Sequence, residues 1–104
     1  FIGNLITAGL STSVETITTA TDTLDLNNHT VLADCTSNAI TLTLPLASTA
    51  DGQRYEIKKI DAAPNAVTID GNGSETIDGA TTLDIITQYE SITIVCDGTS
   101  WFIV

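Results

Sequence analysis

The sequence predicts an all-β domain whose antiparallel strands form a β-sandwich or a jelly-roll-like fold, and which assembles into oligomers. Apolar and polar residues alternate with a period of two in segments rich in Thr, Ile and Val, which is the pattern of half-buried strands. Short clusters of Asn, Asp, Gly and Pro separate these segments, as they do in sandwiches and small barrels. Helical spacing of comparable strength is not found.

The chain is expected to fold as one domain, because 104 residues is a usual size for a single domain. In residues 1–12, Gly3 and Gly9 interrupt a weakly apolar stretch, so this segment is interpreted as an arm or a linker. An arm of this kind can add a strand to a neighbouring subunit. Residues 13–104 are predicted to form a single β-sandwich domain. The sequence contains no Met, which indicates a processed product or part of a longer polypeptide.

The segment AITLTLP is the clearest predicted strand. Ile40, Leu42 and Leu44 face one way, and Pro45 ends the strand because it has no N–H to donate. The other predicted strands are, in order, VETIT, HTVLADC, RYEIKKI, AVTID, TLDIIT, ESITIVC and WFIV. Asp97-Gly98, between the last two, favours a two-residue hairpin and therefore antiparallel pairing of those strands.

Alternation divides the apolar residues of the second half of the chain between two faces. One face is the predicted core: Tyr55, Ile57, Val67, Ile69, Leu83, Ile85, Ile92, Ile94, Trp101 and Ile103. A second apolar set points away from it: Leu32, Ile86, Val95, Phe102 and Val104. Because an isolated monomer would expose this second set, we expect identical subunits, with a trimer as the leading choice, to bury it at an oligomer interface. The alternative is that a long loop or the segment before Ser11 covers it within one chain.

The charge balance bears on the partners of the chain. Three basic residues stand against thirteen acidic ones, a net charge of -10, which opposes binding to nucleic acid and to anionic membrane surfaces. No apolar run approaches the roughly 20 residues that cross a bilayer. The basic residues Arg54, Lys58 and Lys59 are interpreted as solvated sheet residues paired with nearby acids. The alternative is an intersubunit ion pair.

The segment DGNGSETIDG, residues 70–79, raises the question of a calcium loop. Asp70, Asn72 and Ser74 supply oxygen atoms at alternating positions. An EF-hand loop needs Gly at its sixth position and Glu at its twelfth, where this chain has Glu75 and Thr81. The segment is therefore predicted to be a turn region between two strands, with a short strand whose Ile77 points inward, and no metal is expected.

The remaining reactive residue types do not form a catalytic pattern. Cys35 and Cys96 are far apart in the sequence and are interpreted as buried free thiols. His29 is the sole histidine and stands at a strand entry, so neither a catalytic histidine nor a histidine metal centre is expected. No cofactor site and no enzyme activity are predicted. A carboxylate pair of a glycoside hydrolase stays open, because the separation of two carboxylates depends on the fold.

The chain from Ile40 onward, about two-thirds of the sequence, carries a family resemblance. Its features are the apolar strand ending at Pro45, then GQRYEIKKID, NAVTIDGNGSETIDG and the closing SITIVCDGTSWFIV. In this order and spacing they resemble a β-rich domain of tailed-bacteriophage virion surface proteins, of the tail fibre, head fibre or capsid decoration type. The resemblance implies a non-enzymatic structural protein, commonly a homotrimer, on the surface of an extracellular virus particle.

The leading functional hypothesis is therefore a virion structural protein or domain that packs with itself and with other virion proteins. The alternative is a carbohydrate-binding module of a phage adhesin, in which Trp101, Tyr55 or Tyr89 stacks on a sugar ring of a host surface glycan. A fragment of a glycoside hydrolase is the third hypothesis.

Overall fold

The computed structural model describes residues 12–104, so the predicted arm or linker at 1–12 lies outside the described residues except for its last position. Within this range nine strands form two sheets and a single 3-10 helix, Ala47–Thr49, is present, which confirms the all-β class. The strands are β1 (Val14–Ile17), β2 (Thr21–Thr23), β3 (Thr30–Ala33), β4 (Ile40–Thr43), β5 (Arg54–Lys59), β6 (Val67–Asp70), β7 (Thr82–Ile85), β8 (Ser91–Cys96) and β9 (Trp101–Ile103).

The first six strands alternate between the two sheets. The five-stranded sheet has the order β1-β3-β5-β8-β9, and the four-stranded sheet has the order β2-β4-β6-β7. Each crossing to the other sheet and back returns the chain in its original direction, so β1, β3 and β5 run parallel, as do β2, β4 and β6. The connection that a parallel pair requires is here a strand of the opposite sheet.

Antiparallel pairing is confined to the last part of the chain, where β5 pairs with β8, β6 with β7 and β8 with β9. The prediction of antiparallel strands is therefore wrong for four of the seven pairings within residues 12–104. Alternation reports which face of a strand is buried, and it is the same for parallel and antiparallel partners. The direction of pairing depends on the connections, which the alternation does not contain.

The inward-facing side chains of both sheets meet in one core. Seven of the ten predicted core residues are buried, as are Ile40, Leu42 and Leu44. Leu83 and Ile92 are partly buried against the core. The prediction that Ile103 belongs to the core is wrong, since this residue is 39% exposed. It lies on β9, the last strand of its sheet, where no further strand covers it.

The largest buried side chains form an aromatic pair. The rings of Tyr55 and Trp101 stack with their centroids 5.5 Å apart. The Tyr55 hydroxyl donates a 2.6 Å hydrogen bond to the Asp25 carbonyl, and burial raises the pKa of Tyr55, so the phenol stays neutral. This bond ties the loop between β2 and β3 to the core.

The hairpin between β8 and β9 is longer than predicted. The two strands are antiparallel, as expected, but Cys96 pairs directly with Trp101, so four residues rather than two form the connection. Gly98 takes a positive φ of 94°, and the Asp97 carboxylate accepts hydrogen bonds from the backbone N–H groups of Thr99 and Ser100. The side chain of Asp97 thus closes the loop, which the two-residue pattern did not anticipate.

The first strand of each sheet, β1 or β2, is an edge strand. Both strands carry an acidic residue at an inward-facing position. Glu15 pairs with Val31, and Asp22 pairs with Leu42. Both acids are half-buried, and Glu15 accepts a hydrogen bond from the Asn28 amide. Inward-pointing charge is one of the ways in which proteins prevent a further strand from adding to an edge.

Candidate functional site

The outer face of the five-stranded sheet carries the principal candidate surface. Its outward positions fall into rows across the strands, because paired residues share a face. One row runs through Arg54, Val95 and Phe102. The next runs through Thr30, Glu56 and Thr93 and ends near Val104, whose N–H donates to the Thr93 carbonyl. The third runs through Leu32, Lys58 and Ser91.

Three of the five predicted interface residues come together on this face. Val95 and Phe102 are direct cross-strand partners, and Val104 follows on the same side of β9. Leu32 is half-buried and lies on β3, two strands away from β8, while Ile86 is exposed just after β7. The structure therefore defines an apolar cluster of Val95, Phe102 and Val104. A role in a subunit interface stays a prediction for all five residues.

A shallow groove of about 260 Å³ lies beside the apolar cluster on the same face. It runs over the middle strands β3, β5 and β8. It is lined by Thr30, Leu32, Glu56, Ile57, Lys58, Ser91, Ile92 and Thr93. The side chains of Ile57 and Ile92 face the core, so the groove presents hydroxyl groups, a carboxylate, an ammonium group and the aliphatic side chain of Leu32. The groove could not be predicted from any single sequence pattern. It forms because β3 and β8 both pair with β5, although their residues are far from β5 in the sequence.

Tyr89 stands next to this groove. The Lys58 ammonium, which lines the groove, donates a 2.8 Å hydrogen bond to the Tyr89 carbonyl and lies 5.6 Å from the centroid of its ring. The Tyr89 side chain is exposed and its φ is +67°. Tyr55 and Trp101, by contrast, are fully buried. The prediction that either of these two could stack on a sugar is therefore wrong, and Tyr89 remains.

A buried ion pair at the end of β5 was not predicted from the sequence. The expectation that Lys59 is solvated is wrong, since it has no exposed surface. Its ammonium donates to the Asp61 carboxylate at 2.6 Å and to the Ala63 carbonyl at 2.9 Å. The second carboxylate oxygen of Asp61 accepts from the Cys35 N–H at 2.8 Å. The signal for this pair was present, because alternation puts Lys59 on the same face as Tyr55 and Ile57.

The contacts of the buried pair determine the charge of Asp61. Burial raises the pKa of Asp61, but the hydrogen bonds from the Lys59 ammonium and from the backbone N–H groups of Cys35 and Ala63 outweigh it and lower that pKa below 3.8. The carboxylate therefore stays ionised against Lys59. The pair joins the loop after β5 to the loop after β3, so its role in this structure is to hold two connections together.

The DGNGSETIDG segment is a turn region, as predicted, and its Ile77 is buried. In place of a short strand, Ile77 forms isolated bridges to Ala80 and Trp101. Glu75 accepts a hydrogen bond from the Ala47 N–H at 3.0 Å, and Asp78 accepts one from the Ile103 N–H at 3.1 Å. A Cβ on Gly71 would lie 2.2 Å from the Glu75 carbonyl oxygen, so this turn requires glycine. The acidic side chains here tie the loop to neighbouring backbone.

The remaining reactive residues lie apart from the groove. Cys35 and Cys96 are buried free thiols, which confirms that prediction, and burial raises the pKa of both. Nδ1 of His29 is 3.1 Å from the Thr30 hydroxyl. Between residues 12 and 104, His, Cys, Asp and Glu form no group of three or more suited to a metal ion. In the same range no helix is long and apolar enough to span a membrane.

These observations define the class of the molecule as a two-sheet all-β module with an apolar cluster and a polar groove on one outer face. Neither a protein-family model nor a curated protein matches the chain.

Proposed function

We propose that this chain is a non-enzymatic structural module of a tailed-bacteriophage virion, exposed on the particle surface as part of a tail fibre, head fibre or capsid decoration. In this proposal the two sheets form a sandwich-like unit that packs as a homotrimer. Two considerations support it: the resemblance of the sequence from Ile40 onward, and the apolar cluster of Val95, Phe102 and Val104 on an outer sheet face.

The composition around the apolar cluster suits a subunit contact. Arg54 lies in the same row as Val95 and Phe102, and aromatic residues and Arg are enriched at protein interfaces. Phe102 and Val104 lie on or beside β9, an edge strand of the five-stranded sheet. Packing at this edge would cover exposed apolar surface and an unpaired strand edge at the same time. The apolar cluster is the single observation that carries the oligomer proposal.

The charge of the chain predicts how such an oligomer responds to salt. Three copies, each with a net charge of -10, repel one another, and added salt screens this repulsion. We therefore expect light scattering after size exclusion to give a trimer mass that is favoured at high salt and high concentration. A monomer mass under all these conditions would contradict the oligomer proposal.

A matched pair of variants tests the position of the interface. Val104 and Val14 are 64% and 63% exposed, and they lie on the outer face at opposite edges of the five-stranded sheet. Val104→Asp is expected to shift the mass toward monomer, whereas Val14→Asp adds the same charge and should leave the trimer intact. A trimer that survives Val104→Asp would exclude the apolar cluster as its interface.

The location on a virus particle needs a separate experiment. An antibody to this domain is expected to bind the surface of purified virus particles. Absence of labelling, together with absence of the chain from the protein content of the particles, would contradict the virion proposal. The solution mass tests the proposed oligomer, and the particle labelling tests the proposed location. Either part can therefore be contradicted without the other.

A further inference from the structure

Beyond a structural role, we infer that the groove on the outer face of the five-stranded sheet binds one neutral pyranose ring of a glycan, with Tyr89 as the stacking platform. The groove and the exposed ring lie side by side, joined through Lys58, which lines the groove and contacts Tyr89. This inference does not depend on the virion proposal, because it concerns the chemistry of one surface.

The conformation of Tyr89 is the first observation behind this assignment. Tyr89 is the third residue of a turn closed by the Glu90 N–H and the Thr87 carbonyl at 3.1 Å, and its φ is +67°. Glycine is the favoured residue at the positive-φ position of such turns. An aromatic residue is strained there, and Tyr89 as a whole is 62% exposed, so burial in the core does not compensate for the strain.

Among residues 12–104, Asp78 is the other non-glycine residue with a positive φ, and it makes an instructive contrast. Asp78 has a φ of 49°, but its carboxylate accepts from the Ile103 N–H and its own N–H donates to the Trp101 carbonyl. The Tyr89 backbone is held in a similar way, since its N–H donates to the Lys59 carbonyl at 2.7 Å and its carbonyl accepts from the Lys58 ammonium. The two residues differ in their side chains, because that of Asp78 is hydrogen-bonded within the fold. The Tyr89 ring has the Lys58 ammonium on it at 5.6 Å and is otherwise turned to solvent, which leaves it able to contact a ligand. Strained positions of this kind cluster at binding sites.

The polar groups of the groove match the edge of a sugar ring. Glu56, Ser91 and Thr93 line it, and none of their side chains is hydrogen-bonded to another of residues 12–104. They offer a carboxylate acceptor and two hydroxyl groups within one concave surface. Leu32 adds an aliphatic contact. A pyranose presents hydroxyl groups at its edge and C–H groups on its face, which fits a few polar groups beside an exposed aromatic ring.

Charge and size narrow the ligand class. The chain carries a net charge of -10 and Glu56 lies within the groove, so the negative charge around the groove opposes the attraction of an acidic sugar to Lys58. The volume of about 260 Å³ is below the range of pockets that enclose drug-sized ligands. A single neutral ring of a longer glycan, with its neighbours in solvent, is the occupant that this space allows.

The test is a titration of the isotope-labelled wild-type chain, in its native oligomeric state, followed by amide chemical shifts. The probes are the methyl glycosides of glucose, galactose and mannose, and N-acetylglucosamine, with N-acetylneuraminic acid as the anionic comparison. At least one neutral sugar is expected to shift amides in strands β3, β5 and β8 and in the turn at 87–90. No shift with any neutral sugar, shifts confined to other surfaces, or tighter binding of the anionic sugar would overturn the assignment.

Two variants of one residue give the matched control. Tyr89→Gly removes the ring while relieving the backbone, so the fold is retained, and we expect binding to weaken by about tenfold or more. Tyr89→Phe keeps the ring and should bind within about threefold of wild type. Unchanged binding in Tyr89→Gly, with the wild-type amide spectrum otherwise preserved, would remove Tyr89 from the site and overturn the proposal.

Discussion

The two sheets are built from the same alternating pattern, yet they differ in what they carry. The outer face of the four-stranded sheet is uniform, since its register lines up two rows across the strands. These rows are Thr21, Thr41, Thr68 and Asp84, and Thr23, Thr43, Asp70 and Thr82. Its inner face is aliphatic except for Asp22 on the edge strand β2, with Leu42 and Ile69 paired at its centre.

The five-stranded sheet breaks this uniformity on both faces. On its inner face β5 ends in the buried Lys59, paired with Asp61. On its outer face lie the apolar cluster, the groove and Tyr89. The five-stranded sheet therefore carries the buried ion pair, the apolar cluster and the groove, none of which a β-sheet needs in order to form. The four-stranded sheet acts as the second layer of the core and supplies a polar, threonine-rich surface.

The largest expected effect comes from breaking the buried pair. Lys59→Met keeps a side chain of similar length but leaves the Asp61 carboxylate buried without its cation. We expect the free energy of unfolding, measured by urea denaturation, to fall by about 3–5 kcal/mol. Adding Asp61→Asn removes the uncompensated charge and should recover part of the loss.

The neighbouring lysine is the matched control for this variant. Lys58 points to the outer face, where its ammonium bonds to the Tyr89 carbonyl, so Lys58→Met should cost no more than about 1 kcal/mol. Equal losses in Lys58→Met and Lys59→Met would contradict the division of β5 into a buried and a solvated face.

Acid should weaken the same pair in the native sequence. The pKa of Asp61 is below its ordinary value of 3.8 in the folded chain, so its contribution to stability is complete above that value and is lost as the pH falls through the folded pKa. Hydrogen bonds from the backbone N–H groups of Ser100 and Thr99 lower the pKa of Asp97 as well, which acts in the same direction. Unfolding free energies measured from pH 5 to pH 2 should therefore decrease with falling pH.

The double variant isolates the part due to Asp61. With Lys59→Met and Asp61→Asn combined, the titrating carboxylate at position 61 is gone, while Asp97 remains. We expect a shallower decrease in unfolding free energy below about pH 4. A slope identical to that of the wild-type chain would show that other carboxylates account for the acid sensitivity.

The residues of β5 show how much of the fold could be predicted from the sequence. Alternation correctly divided β5, with Tyr55 and Ile57 inward and Arg54 outward, and it identified most of the core. It also put Lys59 inward, but the charge favoured a solvated interpretation, because buried lysine is rare without a partner. The partner, Asp61, becomes visible only when the loop after β5 is placed in three dimensions.

The direction and order of the strands could not be predicted from the alternation of apolar and polar residues. The parallel stacks arise because the chain crosses to the other sheet between β1 and β3 and between β3 and β5. The apolar cluster was foreseen residue by residue, since Val95 and Phe102 stand on outward positions. The groove was not, because it requires β3, β5 and β8 to lie side by side through long-range pairings.

A moderate effect is expected at the edge strands that open both sheets. Glu15→Val combined with Asp22→Leu replaces the two inward-facing acids with apolar residues like those of the next strands, Val31 and Leu42. The unfolding free energy should change by no more than about 1 kcal/mol. The solution mass should rise with concentration beyond that of the wild-type chain, because the edges become open to strand addition.

Glu15→Gln is the control for the edge variant. Its side chain stays polar and can still accept the hydrogen bond from the Asn28 amide, so its solution mass should match that of the wild-type chain. An unchanged mass in the apolar double variant would show that the acids do not protect these edges.

The smallest effect is expected on the outer face of the four-stranded sheet. Thr41 lies between Thr21 and Thr68 in its row and has no core contact of the kind that Leu42 makes on the inner face. Thr41→Val keeps the branched shape that suits a strand, so the unfolding free energy should stay within about 0.5 kcal/mol of the wild-type value. Leu42→Ala, one residue along and facing the core, should cost about 2–5 kcal/mol. If Thr41→Val lowered the unfolding free energy more than Leu42→Ala, or lowered the solution mass of the chain, the threonine rows would themselves be a contact surface. The contact surface would then lie on the four-stranded sheet and not on the five-stranded sheet.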